Sequence, residues 1–173
     1  MRLGQTAKGG KGGLFEMTMK RVLFVCLGNI CRSPAAEGVM TTLVGERGLV
    51  DQIEVDSAGT SSYHIGEPAD KRMRASAQAR EIELTSRSRM VSARDLCEFD
   101  WVIAMDTDNY RSLHRLASGN ESRIHMMSDF LPEGSRFPKD VPDPYYGGDD
   151  GFEEVLDMLQ EACPGLLDRM LAD

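Results

Sequence analysis

No apolar run in this chain of 173 residues approaches the roughly 20 residues needed to cross a bilayer, which excludes a membrane-spanning helix. The opening segment, MRLGQTAKGGKGGLFEMTMK, is basic and glycine-rich but lacks the apolar core of a secretory signal. Positive charge is in deficit, with 20 Lys and Arg against 28 Asp and Glu and a formal net charge of −8. Nucleic acid and anionic membranes both reward net positive charge, so neither is expected as a partner. Cysteine is scarce, at four residues, and a chain of this length has no need of a disulfide framework. Reduced thiols in the cytoplasm are expected, with organelle targeting by the N-terminal segment left open.

Ligand pairs for a metal are also missing. Cys26 and Cys31 have no second Cys/His pair to complete a zinc site, and His64, His114 and His125 lack ligand spacing and read as surface or structural. The stretch Asp143 to Glu154 places Tyr145 and Gly147 where a calcium loop needs oxygen ligands. Neither metal nor other cofactor is expected. Without an internal repeat or a dividing linker, the chain reads as one domain over residues 20–173. Residues 1–19 read as a flexible extension, or as the product of a start upstream of Met17 or Met19.

What is present is a soluble globular composition, 41% hydrophobic and 28% charged. Arg21 to Cys26 is a nearly continuous apolar run of the kind buried on both faces of a parallel sheet. A helix follows, with Ser33 as N-cap, Pro34 at the first helical position and Glu37 in the first turn. Further strands are predicted near 52–56, 100–105 and 123–127, and helices near 69–82, 92–96, 109–116 and 152–171. Strands alternating with helices predict an α/β three-layer sandwich around a parallel sheet. Cys97 and Cys163 sit in apolar helical contexts and read as core, as do Met126 and Met127. A long Pro/Gly loop from Leu131 to Gly151 precedes the last helix, and loops of that length tend to carry function.

The chemistry concentrates in Cys26-Leu27-Gly28-Asn29-Ile30-Cys31-Arg32-Ser33-Pro34. A cysteine ends a buried strand, five residues intervene, and an arginine opens a helix. In open α/β sheets ligands bind outside the carboxyl ends of the strands, where inward-facing backbone N–H groups cradle a phosphate-sized anion. The positive end of a helix favours thiolate over thiol and so suits a nucleophile. Arg32 adds a planar fork for two phosphoryl oxygens. Gly28 and Asn29 are residue types that tolerate left-handed backbone. The tail's Gly9-Gly10-Lys11-Gly12 lacks the spacing of a nucleotide-binding phosphate loop. Asp143, in Asp143-Pro144-Tyr145-Tyr146, supplies a carboxyl group beside aromatic walls. It must carry a proton to donate one, so activity is expected to favour mildly acidic conditions.

VCLGNICRSP, DSAGT at 56–60 and DPYYG near the end together resemble the low-molecular-weight protein tyrosine phosphatases, and the resemblance runs from about Lys20 to the C-terminus. It implies a four-stranded parallel sheet with flavodoxin-like winding, no metal, and a phosphoric monoester hydrolase with acid phosphatase activity. By the same resemblance Cys26 forms a phosphocysteine intermediate, Arg32 binds substrate and stabilises the transition state, and Asp143 acts as general acid and then base. Ser33 would donate to the Cys26 sulfur, while Asn29 would hold the loop through hydrogen bonds that include Ser57. Leu27, Gly28, Asn29, Ile30 and Cys31 would form the substrate cradle, with Tyr63, Tyr145 and Tyr146 as walls for a phosphotyrosine ring. Many relatives place a His where Ser86 stands, so support of Asn29 is expected to differ here.

The closeness of Cys26 and Cys31 suggests a reversible disulfide that protects the thiolate. Two rival functions are weighed. Arsenate reductases share the cradle but need a cysteine relay after the third strand, and here Cys97 precedes that strand. A silent phosphotyrosine-binding module would not need the full set of turnover groups present. The expected partners are phosphotyrosine proteins, with the chain acting as a monomer or in weak self-association. Phosphoarginine and small-molecule phosphates remain open as substrates.

Overall fold

The computed structural model describes residues 18–173, so nearly all of the expected N-terminal extension lies outside the described residues. Four strands, β1 (Lys20–Cys26), β2 (Ile53–Gly59), β3 (Trp101–Ala104) and β4 (Ile124–Met126), form one parallel sheet in the order β2-β1-β3-β4. Five helices cover it: α1 (Arg32–Glu46), α2 (Lys71–Gln78), α3 (Ala93–Glu98), α4 (Thr107–Leu116) and α5 (Asp150–Ala172). The winding and the sheet agree with the α/β sandwich expected from the sequence.

The sheet has a core on each face because β1 alternates its side chains between them. Val22 and Phe24 pack with Val39 and Met40 of α1 and with Leu156 and Leu159 of α5. Leu23 and Val25 pack on the other side with Leu96 of α3 and Leu113 of α4. A strand buried on both faces has no polar side to show. That is why its sequence reads as an unbroken apolar run.

Several boundaries differ for identifiable reasons. β2 continues to Gly59 because that residue pairs with Cys26 in the parallel register. α1 begins at Arg32, with Cys31 at the cap position and no side-chain cap. Ser33 is therefore not the N-cap, because its hydroxyl is turned to the Cys26 sulfur. Glu37 falls beyond the first turn for the same reason. α2 starts after Asp70, which caps it by accepting the Arg72 N–H. α4 starts two residues earlier than the apolar pattern indicates, because Asp106 and Asn109 cap it reciprocally. Cys97, read as core, is exposed on α3, whereas Cys163 is fully buried.

Candidate active site

β1 lies between β2 and β3, so the chain winds in opposite directions on its two sides and a crevice opens at its carboxyl end. Cys26 is the last residue of β1 and is buried. Its sulfur lies 2.9 Å from Ser33 Oγ and accepts the Asn29 N–H at 3.3 Å.

The turn between strand and helix depends on Asn29, which has left-handed backbone at φ 54°. Gly28, expected to share that conformation, does not have a positive φ. The Asn29 side chain faces inward, away from any ligand. Its Nδ2 donates to Ser33 Oγ at 2.8 Å and to Ser57 Oγ at 3.0 Å, and its Oδ1 accepts the Arg89 N–H at 3.0 Å. The Asn29 side chain is thus spent on hydrogen bonds within the turn and to β2, and it does not line the cleft. Ser88 donates its hydroxyl to Gly28 O at 3.0 Å and braces the same turn.

The Ser57 hydroxyl donates in turn to Glu37 Oε2 at 2.7 Å. Burial raises the Glu37 pKa above the ordinary carboxylate range, against the opposing pull of hydrogen bonds from Ser57 and Ser86. The departure expected at Ser86 thus has a structural answer: the half-buried Glu37 carboxylate terminates the network on Ser57. With Glu37 and Asn29 setting the direction of the hydrogen bonds, the Ser33 oxygen accepts from Asn29. Its own proton is then left for the Cys26 sulfur at 2.9 Å or the Ala58 carbonyl oxygen at 3.4 Å.

Arg32 opens α1 with a buried guanidinium. Nη1 donates to Asp106 Oδ2 at 2.6 Å and to Val141 O at 3.1 Å, and Nη2 lies 3.7 Å from Asp143 Oδ2. Burial works against the charge, yet Cys26, Asp106 and Asp143 together hold the Arg32 pKa above its ordinary value. The Asp143 side chain is 40% exposed, and its Oδ1 accepts the Tyr145 N–H at 3.0 Å. Cys31 is buried, and desolvation, with Asp70 and Cys26 nearby, pushes its thiol up to about 12.

These groups open onto a cleft of about 140 Å³. Its floor is Cys26, Arg32 and the cradle residues Leu27, Gly28, Ile30 and Cys31, and Asp143 stands at one side. Tyr145 and Tyr146 meet edge to face with centroids 4.9 Å apart, and Tyr63 and Tyr146 stand almost wholly exposed at the mouth. His64, read as surface or structural, also lines the cleft, with Nδ1 2.7 Å from Glu67 Oε2 and its ring 6.0 Å from that of Tyr145. His125 stacks on Trp101 and His114 lies against Tyr110, both away from the cleft.

Sequence reasoning missed Asp106, Glu37, Arg89, Gly59 and Ser61 as parts of the site. A Cβ on Gly59 would stand 2.7 Å from Leu27 O, so only glycine lets β2 approach the cradle. Asp106 had a signal, an Asp-x-x-Asn pair directly after a strand, which is the pattern of a helix cap. Among the described residues no group of three or more His, Cys, Asp or Glu is placed to hold a metal ion. None of the helices there is long and apolar enough to cross a membrane.

Residues 21–173 match the family model described as low molecular weight phosphotyrosine protein phosphatase. The chain is 42% identical over 149 residues to a low molecular weight protein-tyrosine-phosphatase of Streptomyces coelicolor, covering 85% of this chain and 91% of that one. It is 36% identical over 157 residues to the Homo sapiens low molecular weight phosphotyrosine protein phosphatase, covering 89% and 98% respectively. Its fold is similar to that of a protein tyrosine phosphatase from Entamoeba histolytica crystallised with Hepes in the active site. The TM-score is 0.85 at 44% identity, over 88% of this chain and 97% of that one.

Proposed function

The chain belongs to the low molecular weight phosphotyrosine protein phosphatase family, which are hydrolases, and on that premise we propose that Cys26, Arg32 and Asp143 carry out phosphotyrosine hydrolysis through a phosphocysteine intermediate. The observation that carries the reading is the convergence of these three side chains on one cleft, with Arg32 Nη2 3.7 Å from Asp143 Oδ2.

The phosphoryl group sits on the cradle over Cys26, its equatorial oxygens bound by the backbone N–H groups and the Arg32 fork. The Cys26 sulfur attacks phosphorus while Asp143 gives its proton to the departing phenolic oxygen. The Asp143 carboxylate then takes a proton from water, which attacks the phosphocysteine. Phosphate and free sulfur are released, and Ser33 eases that departure by donating to the sulfur. Leu27, Gly28, Ile30 and Cys31 shape the cradle, and Tyr63, Tyr145 and Tyr146 receive the substrate ring. A cleft floored by a thiol and walled by tyrosines favours aryl phosphates, including small ones, over the shorter reach of phosphoserine. The catalytic domain is residues 20–173, preceded by the extension 1–19. It works without a cofactor on phosphotyrosine proteins in the cytoplasm, as a monomer or in weak self-association.

The test is a steady-state comparison of phosphotyrosine, phosphoserine and phosphoarginine substrates with three chains. Cys26→Ser abolishes turnover while still binding phosphate. Asp143→Asn lowers kcat/KM for phenyl phosphate by about 10²- to 10⁴-fold while sparing aryl phosphates with acidic leaving groups. Equal loss across leaving groups removes Asp143 from its role, and preference for phosphoarginine replaces the substrate class.

A further inference from the structure

The acid loop is held from both sides by arginines, and only one of them faces the phosphoryl group. Arg32 Nη1 donates to Val141 O, two residues before Asp143. Arg72 Nη2 donates to Tyr145 O, two residues after it, at 3.1 Å. The N–H of that same Tyr145 donates to Asp143 Oδ1. Arg72 thus fixes the peptide whose other neighbour fixes the carboxyl group.

The same guanidinium is tied to the cradle through Asp70. Its Nε and Nη2 fork around the Asp70 carboxylate at 3.1 and 3.0 Å, and its backbone N–H donates to Asp70 Oδ1 at 2.8 Å. Asp70 is the cap of α2, and its own N–H donates to Ile30 O, inside the phosphate cradle, at 2.7 Å. The guanidinium lies over two rings, 4.8 Å from the Phe152 centroid and 5.6 Å from that of Tyr145. Cradle, α2, acid loop and the first turn of α5 therefore meet on one side chain.

We propose that Arg72 is a positioning residue for the general acid, a staple that ties the loop carrying Asp143 to the cradle under Cys26. This rests on the roles given above to Cys26 and Asp143. An exposed ion pair such as Arg72 with Asp70 contributes little by itself. Stability of α2 would need only that pair, and the Tyr145 carbonyl bond is superfluous to it. A planar fork is required to serve a carboxylate and a carbonyl together while stacked on aromatic faces, so lysine is a poor substitute. Proton transfer is steep in distance, and an acid displaced by about an ångström loses on the order of 10²-fold in rate. The loop otherwise has few ties downstream of Asp143, and Tyr146 at its tip is 91% exposed.

The experiment is a leaving-group series measured on Arg72→Met, which keeps the stem and removes the fork. We expect kcat/KM to fall by about 10- to 100-fold for phenyl phosphate and by less than about twofold for a dinitrophenyl phosphate, whose leaving group needs no proton. Competitive inhibition by inorganic phosphate stays unchanged, which also reports an intact cradle and fold. In an Asp143→Asn background Arg72→Met adds less than about twofold, because the group it positions is gone. A loss equal across leaving groups, a weakened phosphate inhibition constant, or additive losses in the double variant overturns the proposal. If Asp143→Asn alone shows no leaving-group dependence, the acid assignment falls and the staple with it. If Asp143→Asn behaves as the loss of an acid and Arg72→Met does not, only the staple falls.

Discussion

The Arg32 guanidinium donates to Asp106 Oδ2 at 2.6 Å, while the other oxygen of that carboxylate accepts the Asn109 N–H at 2.8 Å and caps α4. One carboxylate therefore does two things at once. It starts a helix after β3, and it holds the cation whose guanidinium lines the same cleft as the Cys26 sulfur. The aim is rigid because a capped helix end cannot swing.

Asp106→Ala is accordingly expected to impair both functions. Removing the nearer carboxylate of a mostly buried pair leaves Arg32 only Val141 O and the more distant Asp143 carboxylate and costs about 3 kcal/mol, measurable by urea denaturation. Phosphate inhibition weakens and kcat/KM falls by about 10-fold or more as the fork loses its orientation. Unchanged phosphate binding would show that the cradle alone aims Arg32.

Gly59→Ala carries a steric prediction. The new Cβ meets the Leu27 carbonyl oxygen at 2.7 Å and the Asn29 backbone N at 3.2 Å, and neither is the end of a flexible side chain. The cradle must shift, at a cost of about 1–3 kcal/mol in stability. Phosphate binding should weaken with it, whereas Gly45→Ala, inside α1 with open space around its Cβ, should leave phosphate binding unchanged and raise stability by about 0.5–1 kcal/mol. Thermal denaturation and phosphate inhibition of both variants decide the matter.

The half-buried Glu37 sets a pH dependence. Its folded-state pKa lies above the ordinary carboxylate value, chiefly through desolvation. For a group shifted in that direction, the stabilising contribution is complete below the unfolded pKa and is lost as pH rises through the folded one. Glu37→Gln, which can still accept the Ser57 proton, should therefore raise stability at pH 7. The gain should vanish near pH 4. Urea midpoints at both pH values test this, and a variant less stable at pH 7 overturns it. Asp95 works in the opposite sense: burial would raise its pKa, but the Arg89 and Ser92 hydrogen bonds prevail and lower it. Its contribution is present above the unfolded pKa and fades as pH falls through the folded one.

Cys31 bears on oxidation. Its thiol, pushed up to about 12, is protonated at neutral pH and must surrender that proton as it attacks an oxidised Cys26. Peroxide converts Cys26 to the sulfenic acid; the Cys31 sulfur then displaces water and forms the disulfide. Activity lost to peroxide should return with dithiothreitol in the native chain and fail to return in Cys31→Ser. Irreversible loss in both would remove Cys31 from that role.

The parts of this protein legible in the sequence are those encoded over short distances. Arg21 to Cys26 announces a doubly buried strand because each of its side chains meets a core. Cys26 and Arg32 are recognisable because one short loop joins them at a strand end and a helix start, and both reach the same cleft. Asp143 is recognisable because its proline and tyrosines form a local signature. Helix starts were less legible. Ser33 has the composition of a cap, but its hydroxyl is taken by the Cys26 sulfur and Asn29, a competition that no single-segment pattern records.

What packing alone decided is which distant groups share a hydrogen bond. Glu37 meets Ser57, Arg32 meets Asp106, and Arg72 meets Tyr145 across 20, 74 and 73 residues of chain. Glu37, Asp106 and Arg72 do not differ in type from an ordinary surface or capping residue. Gly59 reads as a turn glycine until β2 is laid beside β1 and its missing Cβ proves to be room for Leu27 O. Local sequence chose the groups proposed to react, because strand periodicity and loop chemistry act over a few residues. Their aim came from the tertiary structure, because a hydrogen bond has a length and a direction only once both partners are held in place.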